Sequence, residues 1–301
     1  MFHKNHIHLA VFFLMMTYFC QGQDYSFLKK SDTLHKKRKN AVVITESVLA
    51  GGTLLALDQL WYKDYKRSSF HFINDNAEWK QMDKMGHFMT SYYLGKVGME
   101  VLDWAGVSRK NRLIYGATYG FAFLTAVEVL DGFSKEWGAS TGDILANAAG
   151  TGFLIGQELL WQEQRITLKY SFNTTPYAKQ RPNILGENYL QQALKDYNGQ
   201  TYWLSANIWS FSKKSKIPKW VNIALGYGAE GMLSGNENNI NTIDEKPYRQ
   251  FYLSLDVDLT KIKTSSKLLK SVFSVVNFIK IPAPTLEINT KNGLKFHFIY
   301  F

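Results

Sequence analysis

Acidic side chains, a histidine and an amide recur at helical spacing between Asp83 and Asn147, in a largely hydrophobic part of the chain. Asp83 and His87 are four residues apart, so they share one face of a helix. A carboxylate at this spacing can fix the tautomer of an imidazole, or both groups can bind one metal ion. Because a charge inside an apolar helix is costly unless it is paired or functional, the pattern predicts one shared polar centre. Its members are Asp83, Lys84, His87, Glu128, Asp131, Asp143 and Asn147.

The composition of this centre suits two kinds of chemistry. Carboxylates with one imidazole favour a hard or borderline divalent cation, or general acid–base catalysis on a bound water. The candidate metal ligands are His87, Glu128, Asp131 and Asp143. The chain has neither a His-Glu-x-x-His zinc motif nor a Walker phosphate-binding loop. A divalent metal ion is therefore the one cofactor that the sequence suggests, and its identity stays open.

The same residues also allow a purely structural interpretation. Asp83 can cap the helix that it opens, and Asp143 can cap a later helix, by accepting from free backbone N–H groups. Lys84 can pair with Glu128 or Asp131, and His87 can donate a single buried hydrogen bond. The sequence alone leaves both interpretations open.

Four hydrophobic stretches with helical character would position these residues. They cover residues 41–62, 82–105, 113–133 and 142–162. Each is long enough to span a bilayer as a helix, yet each carries charge. The sequence therefore predicts a four-helix hydrophobic bundle that is embedded in a membrane or rests on it. The pairs Gly116/Gly120 and Gly152/Gly156 predict close helix packing.

After Glu163 the hydrophobic period changes from that of helices to that of strands. Alternating segments predict strands at 166–172, 221–229, 251–259, 286–289 and 294–301. Two segments between the strands, 187–197 and 267–279, have helical periodicity with one apolar face. They predict amphipathic helices that lie against the sheet or a membrane surface. The predicted fold class is α+β, with the helical bundle followed by an antiparallel β-rich region.

The alternation in this region resembles that of outer-membrane β-sheets, because apolar side chains point one way and small or polar ones the other. The sequence ends in Phe301, and a final aromatic after an alternating strand is typical of outer-membrane barrels. We count about six or seven strands, fewer than the eight of the smallest membrane barrels. A curved sheet packed on the helices and a closed barrel both remain open.

The first residues predict export. Residues 1–22 combine Lys4 with an apolar run from Ile7 to Phe19, which fits a signal peptide. Cleavage near Gly22 is the favoured outcome, and lipidation at Cys20 is the alternative. Because Cys20 is the only cysteine, a chain cleaved there would have no disulfide and no thiolate metal site.

The net charge of +10 includes a basic lead-in at residues 23–40, which we expect to be flexible. Basic segments can bind nucleic acid, but no nucleic-acid-binding fold signature accompanies this one, so we expect no nucleic-acid partner. A solvated surface or a patch that faces anionic lipid fits better. The expected partners are membrane lipid or other envelope proteins, and the oligomeric state stays open.

Three motifs in the centre resemble those of a known family. They are Asp83-Lys84-x-x-His87-Phe88, Glu128-x-x-Asp131, and Trp137-x-x-Ser140-x-x-Asp143-x-x-x-Asn147-x-x-Gly150. Over residues 80–160 the chain resembles the YfiM-like predicted periplasmic lipoproteins, and it is more distantly similar to VanZ-like membrane proteins. The resemblance implies an envelope protein and supplies no mechanism. The β-rich extension resembles the tail of larger family versions, which suggests outer-membrane association.

These observations predict four parts: a signal peptide at 1–22, the lead-in at 23–40, a helical domain at 41–162 and a β-rich region at 163–301. The expected location is the periplasm, in association with the outer rather than the inner membrane. The predicted function is a structural or interaction role in the cell envelope. The alternative is a metal-assisted hydrolase or transferase that acts on lipid or cell-wall precursors through Asp83, His87, Glu128, Asp131 and Asp143.

Overall fold

The computed structural model of the chain describes residues 29–59, 65–214, 216–235 and 246–301. The predicted signal peptide at 1–22, with Cys20, lies outside the described residues. Within the described part of the lead-in, residues 29–35 have no regular secondary structure and helix α1 begins at Lys36. The helix starts there because the His35 side chain accepts a hydrogen bond from the backbone N–H of Arg38.

Long helices form within all four hydrophobic stretches. They are α1 (Lys36–Leu57), α2 (Met82–Trp104), α3 (Tyr119–Gly132) and α4 (Thr141–Trp161). The third predicted helix is interrupted, because a short helical segment at Arg109–Asn111 and a π-helical turn at Arg112–Gly116 precede α3. A short parallel pair, β1 (Phe72–Ile73) with β2 (Ala139–Ser140), joins the segments that lead into α2 and α4.

Helices α2, α3 and α4 pack closely because glycines lie where their backbones meet. A Cβ on Gly120 would lie 2.2 Å from the carbonyl oxygen of Ser91, and one on Gly150 would lie 2.1 Å from a carbonyl oxygen of α2. A side chain at either position would force the helices apart. The prediction of close packing is confirmed for Gly116 and Gly120, since a Cβ on Gly116 would lie 2.7 Å from the backbone of Gly98. It is wrong for Gly152 and Gly156, where a Cβ would meet nothing within 4 Å.

Helix α1 does not complete a four-helix bundle. Val42 is its only buried residue, and Val48 and Leu55 are 66% and 68% exposed. Its apolar residues are spread around the helix, so it presents no single face for packing. By length and composition, α1 and the segment Arg109–Gly132 could each cross a membrane. The compact helical unit consists of α2, α3 and α4, and the predicted four-helix bundle is not confirmed.

The β-rich region is one six-stranded antiparallel sheet in which each strand pairs with the next along the chain. Its strands are β3 (Ile166–Phe172), β4 (Gln200–Asn207), β5 (Val221–Glu230), β6 (Tyr248–Val257), β7 (Ala283–Asn289) and β8 (Gly293–Tyr300). Among the described residues β3 and β8 do not pair, so the sheet is open and the closed-barrel alternative is wrong. The sheet nevertheless curls, as contacts of the Tyr300 hydroxyl in β8 show. It donates to the Tyr252 hydroxyl at 2.8 Å and lies 3.2 Å from Thr201 Oγ1 in β4.

The two faces of this sheet differ from those of an ordinary half-buried sheet, which packs its apolar face inward. Here the covered face is polar. Lys169 and Asp256 are fully buried there with 3.0 Å between Nζ and Oδ2, and Ser205 donates to Asp256 at 2.6 Å. The outer face instead exposes large apolar side chains, among them Leu225, Phe251, Leu253, Leu255, Ile288, Phe296 and Phe298. The predicted alternation of polar inward and apolar outward residues is confirmed.

Both predicted amphipathic helices are present, as α5 (Tyr189–Lys195) and α6 (Lys267–Val276). Neither contains a buried residue, and Leu194 and Val275 are 71% and 70% exposed. The remaining short helical segments are Glu78–Gln81, Tyr177–Gln180, Pro182–Leu185, Ile208–Phe211 and Leu259–Lys261. The described fold is thus α+β, with a three-helix unit beside a curled sheet.

Candidate functional site

Lys84, in the first turn of α2, joins three acids. Its Nζ lies 2.6 Å from Asp75 Oδ2, 2.8 Å from Asp143 Oδ1 and 3.3 Å from Asp83 Oδ2. Burial alone would lower the pKa of Lys84, but the surrounding carboxylates outweigh burial and raise that pKa above its ordinary value. Lys84 therefore remains a cation, and it ties the segments before α2 and α4 to the start of α2.

His87 lies one helical turn further along α2. Its Nδ1 is 3.1 Å from Asn147 Oδ1 and 3.8 Å from Glu128 Oε1. Its Nε2 is 3.9 Å from Asp143 Oδ1 and 4.0 Å from Asp83 Oδ1. Because an amide oxygen only accepts, this orientation assigns the proton to Nδ1 and leaves Nε2 as the acceptor in the neutral ring. Nε2 can then bind a metal ion or take up a proton.

Burial changes the acid strength of two carboxyl groups in the centre. Desolvation raises the pKa of Glu128 to about 7, although its Oε2 accepts from the Ser140 backbone N–H at 2.9 Å. Desolvation, with repulsion from Asp83, also raises the pKa of Asp143 to about 6. Both groups can therefore exchange protons near neutral pH. At Asp75 the effect of burial is outweighed by hydrogen bonds from Lys84 and Ser140, and the pKa is lowered.

Ser140 connects the centre to the fold at the junction of β2 and α4. Its Oγ accepts from the Asp143 N–H at 3.1 Å and donates to Asp75 Oδ1 at 2.6 Å. Ser140, and not Asp143, is therefore the N-cap of α4. Residues 138–142 match the Gly-x-Ser-x-Gly pattern, a signal that could have identified Ser140 from the sequence. Because Ser140 is buried and both roles of its hydroxyl are occupied, it acts as a cap and not as an exposed nucleophile.

Six of the seven predicted residues come together in the structure, namely Asp83, Lys84, His87, Glu128, Asp143 and Asn147. Asp131 lies at the end of α3, and its charge contributes to the raised pKa of Glu128. Besides Ser140, the sequence reasoning missed Asp75 and Tyr197. The Tyr197 hydroxyl donates to Asp83 Oδ1 at 2.7 Å, from a segment that follows α5. No local pattern marks such a distant contact.

Three residues of the centre could hold one metal ion. Asp83, His87 and Asp143 each offer a ligand atom, and these atoms lie within 4.8 Å of one another. Glu128 and Asp131, the other predicted ligands, are not part of this group. Asn147 is fully buried, and within the described part of the chain its Nδ2 has no hydrogen-bond partner. Because an N–H group only donates, this amide could serve an acceptor atom of a bound molecule and is not a metal ligand.

The centre borders an elongated cleft of about 730 Å³. Asp83 and His87 line it at one end of α2, and Lys96 and Glu100 line it towards the other end. The remaining wall comes mainly from aromatic and aliphatic side chains of α2, the sheet, α5 and α6. The polar centre is therefore accessible to a ligand of substantial size.

Residues 71–156 match the model of a family described as predicted periplasmic lipoprotein (DUF2279). The match covers α2, α3, most of α4 and the whole polar centre. It supports an exported, periplasmic, lipoprotein-like protein. Searches of the curated proteins and of the solved structures found no match.

Proposed function

We propose that the protein is a membrane-associated envelope enzyme, a hydrolase or transferase whose centre binds one divalent ion. The observation that carries this proposal is the convergence of Asp83, His87 and Asp143 at the end of a large cleft. Two carboxylates with one imidazole are a ligand set that leaves coordination positions open for water or substrate. Asn147 and Glu128 would orient His87 from the opposite side of its ring.

The reaction class follows from what a bound ion does to water. A divalent ion held by Asp83, His87 and Asp143 would lower the pKa of a bound water to near neutral pH. In hydrolysis the water oxygen forms a bond to the substrate's acyl or phosphoryl atom, and the bond to the leaving oxygen breaks. The leaving oxygen receives the proton that the water gave up. In a transferase a substrate hydroxyl takes the place of the water. The substrates that we propose are lipid or cell-wall precursors.

Membrane association is proposed from the surface of the sheet. Its outer face exposes large apolar side chains such as Leu253 and Phe296, and α1 is apolar and exposed over most of its length. An apolar surface of this extent is unusual on a soluble monomer and favours lipid contact. We propose the outer membrane as its location, because the alternation of the strands resembles that of outer-membrane sheets. Recovery of the full chain in the soluble periplasmic fraction, without membranes, would contradict this part of the proposal.

The metal site is tested by elemental analysis of the detergent-purified chain after incubation with Zn²⁺, Mn²⁺ or Mg²⁺. We expect one ion per wild-type chain, and loss of the ion in His87→Gln and in Asp143→Asn without loss of the fold. His297→Gln is the matched control, because His297 also contacts a carboxylate, Glu287 at 2.6 Å, but lies in the sheet. A wild-type chain that binds none of the three ions would overturn the proposed metal site.

A second function, a structural or interaction role without catalysis, is favoured by Lys84. This lysine already supplies a positive charge to Asp75, Asp83 and Asp143, as a structural core would require. Under this alternative, His87→Gln and Asp143→Asn would bind as little metal as the wild type and would melt at lower temperature. Thermal unfolding of the same variants, followed by circular dichroism, separates the two functions.

A further inference from the structure

We propose that the cleft beside the polar centre binds the hydrocarbon chain of an amphiphile, with the polar end of that molecule at Asp83 and His87. This inference rests on the proposed function for the role of the polar end, and it names the class of substrate. Its support comes from the shape of the cleft, the chemistry of its wall and the nature of its rim.

The cleft follows one face of α2. The residues of α2 that line it include Asp83, His87, Thr90, Val97 and Glu100, which recur at the spacing of a single helix face. At about 1.5 Å of rise per residue, the distance from Asp83 to Glu100 along the helix is about 25 Å. A cleft of this length is suited to an extended chain, and its volume of about 730 Å³ is that of a ligand site.

The wall of the cleft between its two ends is mainly apolar, with Thr90, Gln200 and Ser274 as its polar residues. The four tyrosines that line it have their hydroxyl groups bonded to protein atoms: Tyr93 to Leu168 O, Tyr170 to Ala193 O, Tyr197 to Asp83 Oδ1, and Tyr202 to Gln200 Oε1. With these hydroxyls occupied, the rings contribute apolar surface to the cleft. At the far end, Lys96 and Glu100 form an ion pair with each other. The ionisable groups that a ligand in the cleft can reach are therefore concentrated at Asp83 and His87.

The rim of the cleft is made by the two amphipathic helices. Leu194 of α5 and Val275 of α6 line the cleft and are also largely exposed. Next to them, Leu190 and Leu268 are 70% and 72% exposed, so the apolar surface continues from the cleft onto the outside of both helices. Exposed apolar helices of this kind lie in the interface of a bilayer. A chain could thus pass from the bilayer into the cleft along continuous apolar surface.

The test uses a palmitic acid analogue with a photoreactive diazirine on its chain, added to vesicles that contain the full-length protein. After illumination, labelled peptides are mapped by mass spectrometry. We expect label on the part of α2 between Met89 and Val97. Thr90→Trp and Val97→Trp each place a bulky side chain in the cleft at an exposed position, and we expect them to reduce this label by about tenfold or more. Leu225→Trp, on the outer face of the sheet, is the matched control and should leave the α2 label unchanged.

Label confined to the outer face of the sheet, or label on α2 that both cleft variants retain, would overturn the inference. Circular dichroism and metal content of the two cleft variants establish that each is folded and that its centre is intact. The wild-type result alone is decisive if a variant does not fold. A wild type that takes the chain but binds no metal would refute the proposed metal chemistry and leave the chain site standing.

Discussion

Replacement of Glu128 by Gln should stabilise the folded protein above about pH 7, although it removes an acid from the candidate site. Burial raises the pKa of Glu128 from an ordinary 4.5 to about 7. The folded state therefore binds more protons than the unfolded state between these values, and stability falls as the pH rises through this range. At about 1.4 kcal/mol for each pKa unit, the cost above pH 7 has an upper limit of about 3 kcal/mol, and solvent screening lowers it. Gln cannot ionise, and its amide oxygen can still accept from the Ser140 N–H.

The assay is urea unfolding of the detergent-solubilised chain at about pH 5 and about pH 8, followed by tryptophan fluorescence. We expect Glu128→Gln to gain about 1–3 kcal/mol relative to wild type at the higher pH, and much less at the lower pH. Glu136→Gln, at an exposed position, controls for the loss of one charge. A Glu128→Gln variant that is less stable than wild type at the higher pH would refute the claim that this carboxylate is a costly, desolvated group.

Three further predictions concern packing, capping and the sheet interior. Gly150→Ala should lower the free energy of unfolding by about 1–3 kcal/mol, because its Cβ would meet a carbonyl oxygen at 2.1 Å. Gly152→Ala adds a Cβ in open space and should raise the free energy of unfolding by up to about 1 kcal/mol. Thermal unfolding compares the two variants. Ser140→Ala should lower the free energy of unfolding in urea by about 1–2 kcal/mol, because α4 loses its N-cap. Lys169→Met should lower the free energy of unfolding by about 1–3 kcal/mol in the same assay, because Asp256 loses one of two buried cations and keeps Lys280, whose Nζ lies 3.8 Å from its Oδ1. A variant as stable as the wild type would contradict the pairing.

The polar centre was predictable from the sequence because its main pairs lie within single helices. The four-residue spacing of Asp83 and His87 and that of Asp143 and Asn147 fix which side chains share a face. Close packing of α4 on α2 at Gly150 then brings those faces together. Asp75 and Tyr197 were not predictable, because each reaches the centre from an irregular segment whose position depends on tertiary contacts.

The fold was predictable where a segment has one buried face, and less so elsewhere. Strand β6 alternates between buried and more exposed residues along its whole length, and β5 does so as far as Gly228, so both were recognised. Strand β4 is buried on both faces over most of its length, so it lacks the period of two and was missed. Helix α1 was assigned to the bundle because length and hydropathy alone do not distinguish a packed helix from an exposed one.

The raised pKa values of Glu128 and Asp143 bear on the choice between a structural and a catalytic centre. In a purely structural core both carboxyls are costly to ionise because they are buried, and the pairing of Asp143 with Lys84 offsets that cost only in part. A divalent ion at Asp83, His87 and Asp143 would reverse this cost, because a nearby positive charge favours the ionised carboxylate. Metal binding should therefore lower the pKa of Asp143 from about 6 and release protons in that pH range. The carboxyl groups that destabilise the metal-free protein would thus be the groups that make metal binding depend on pH.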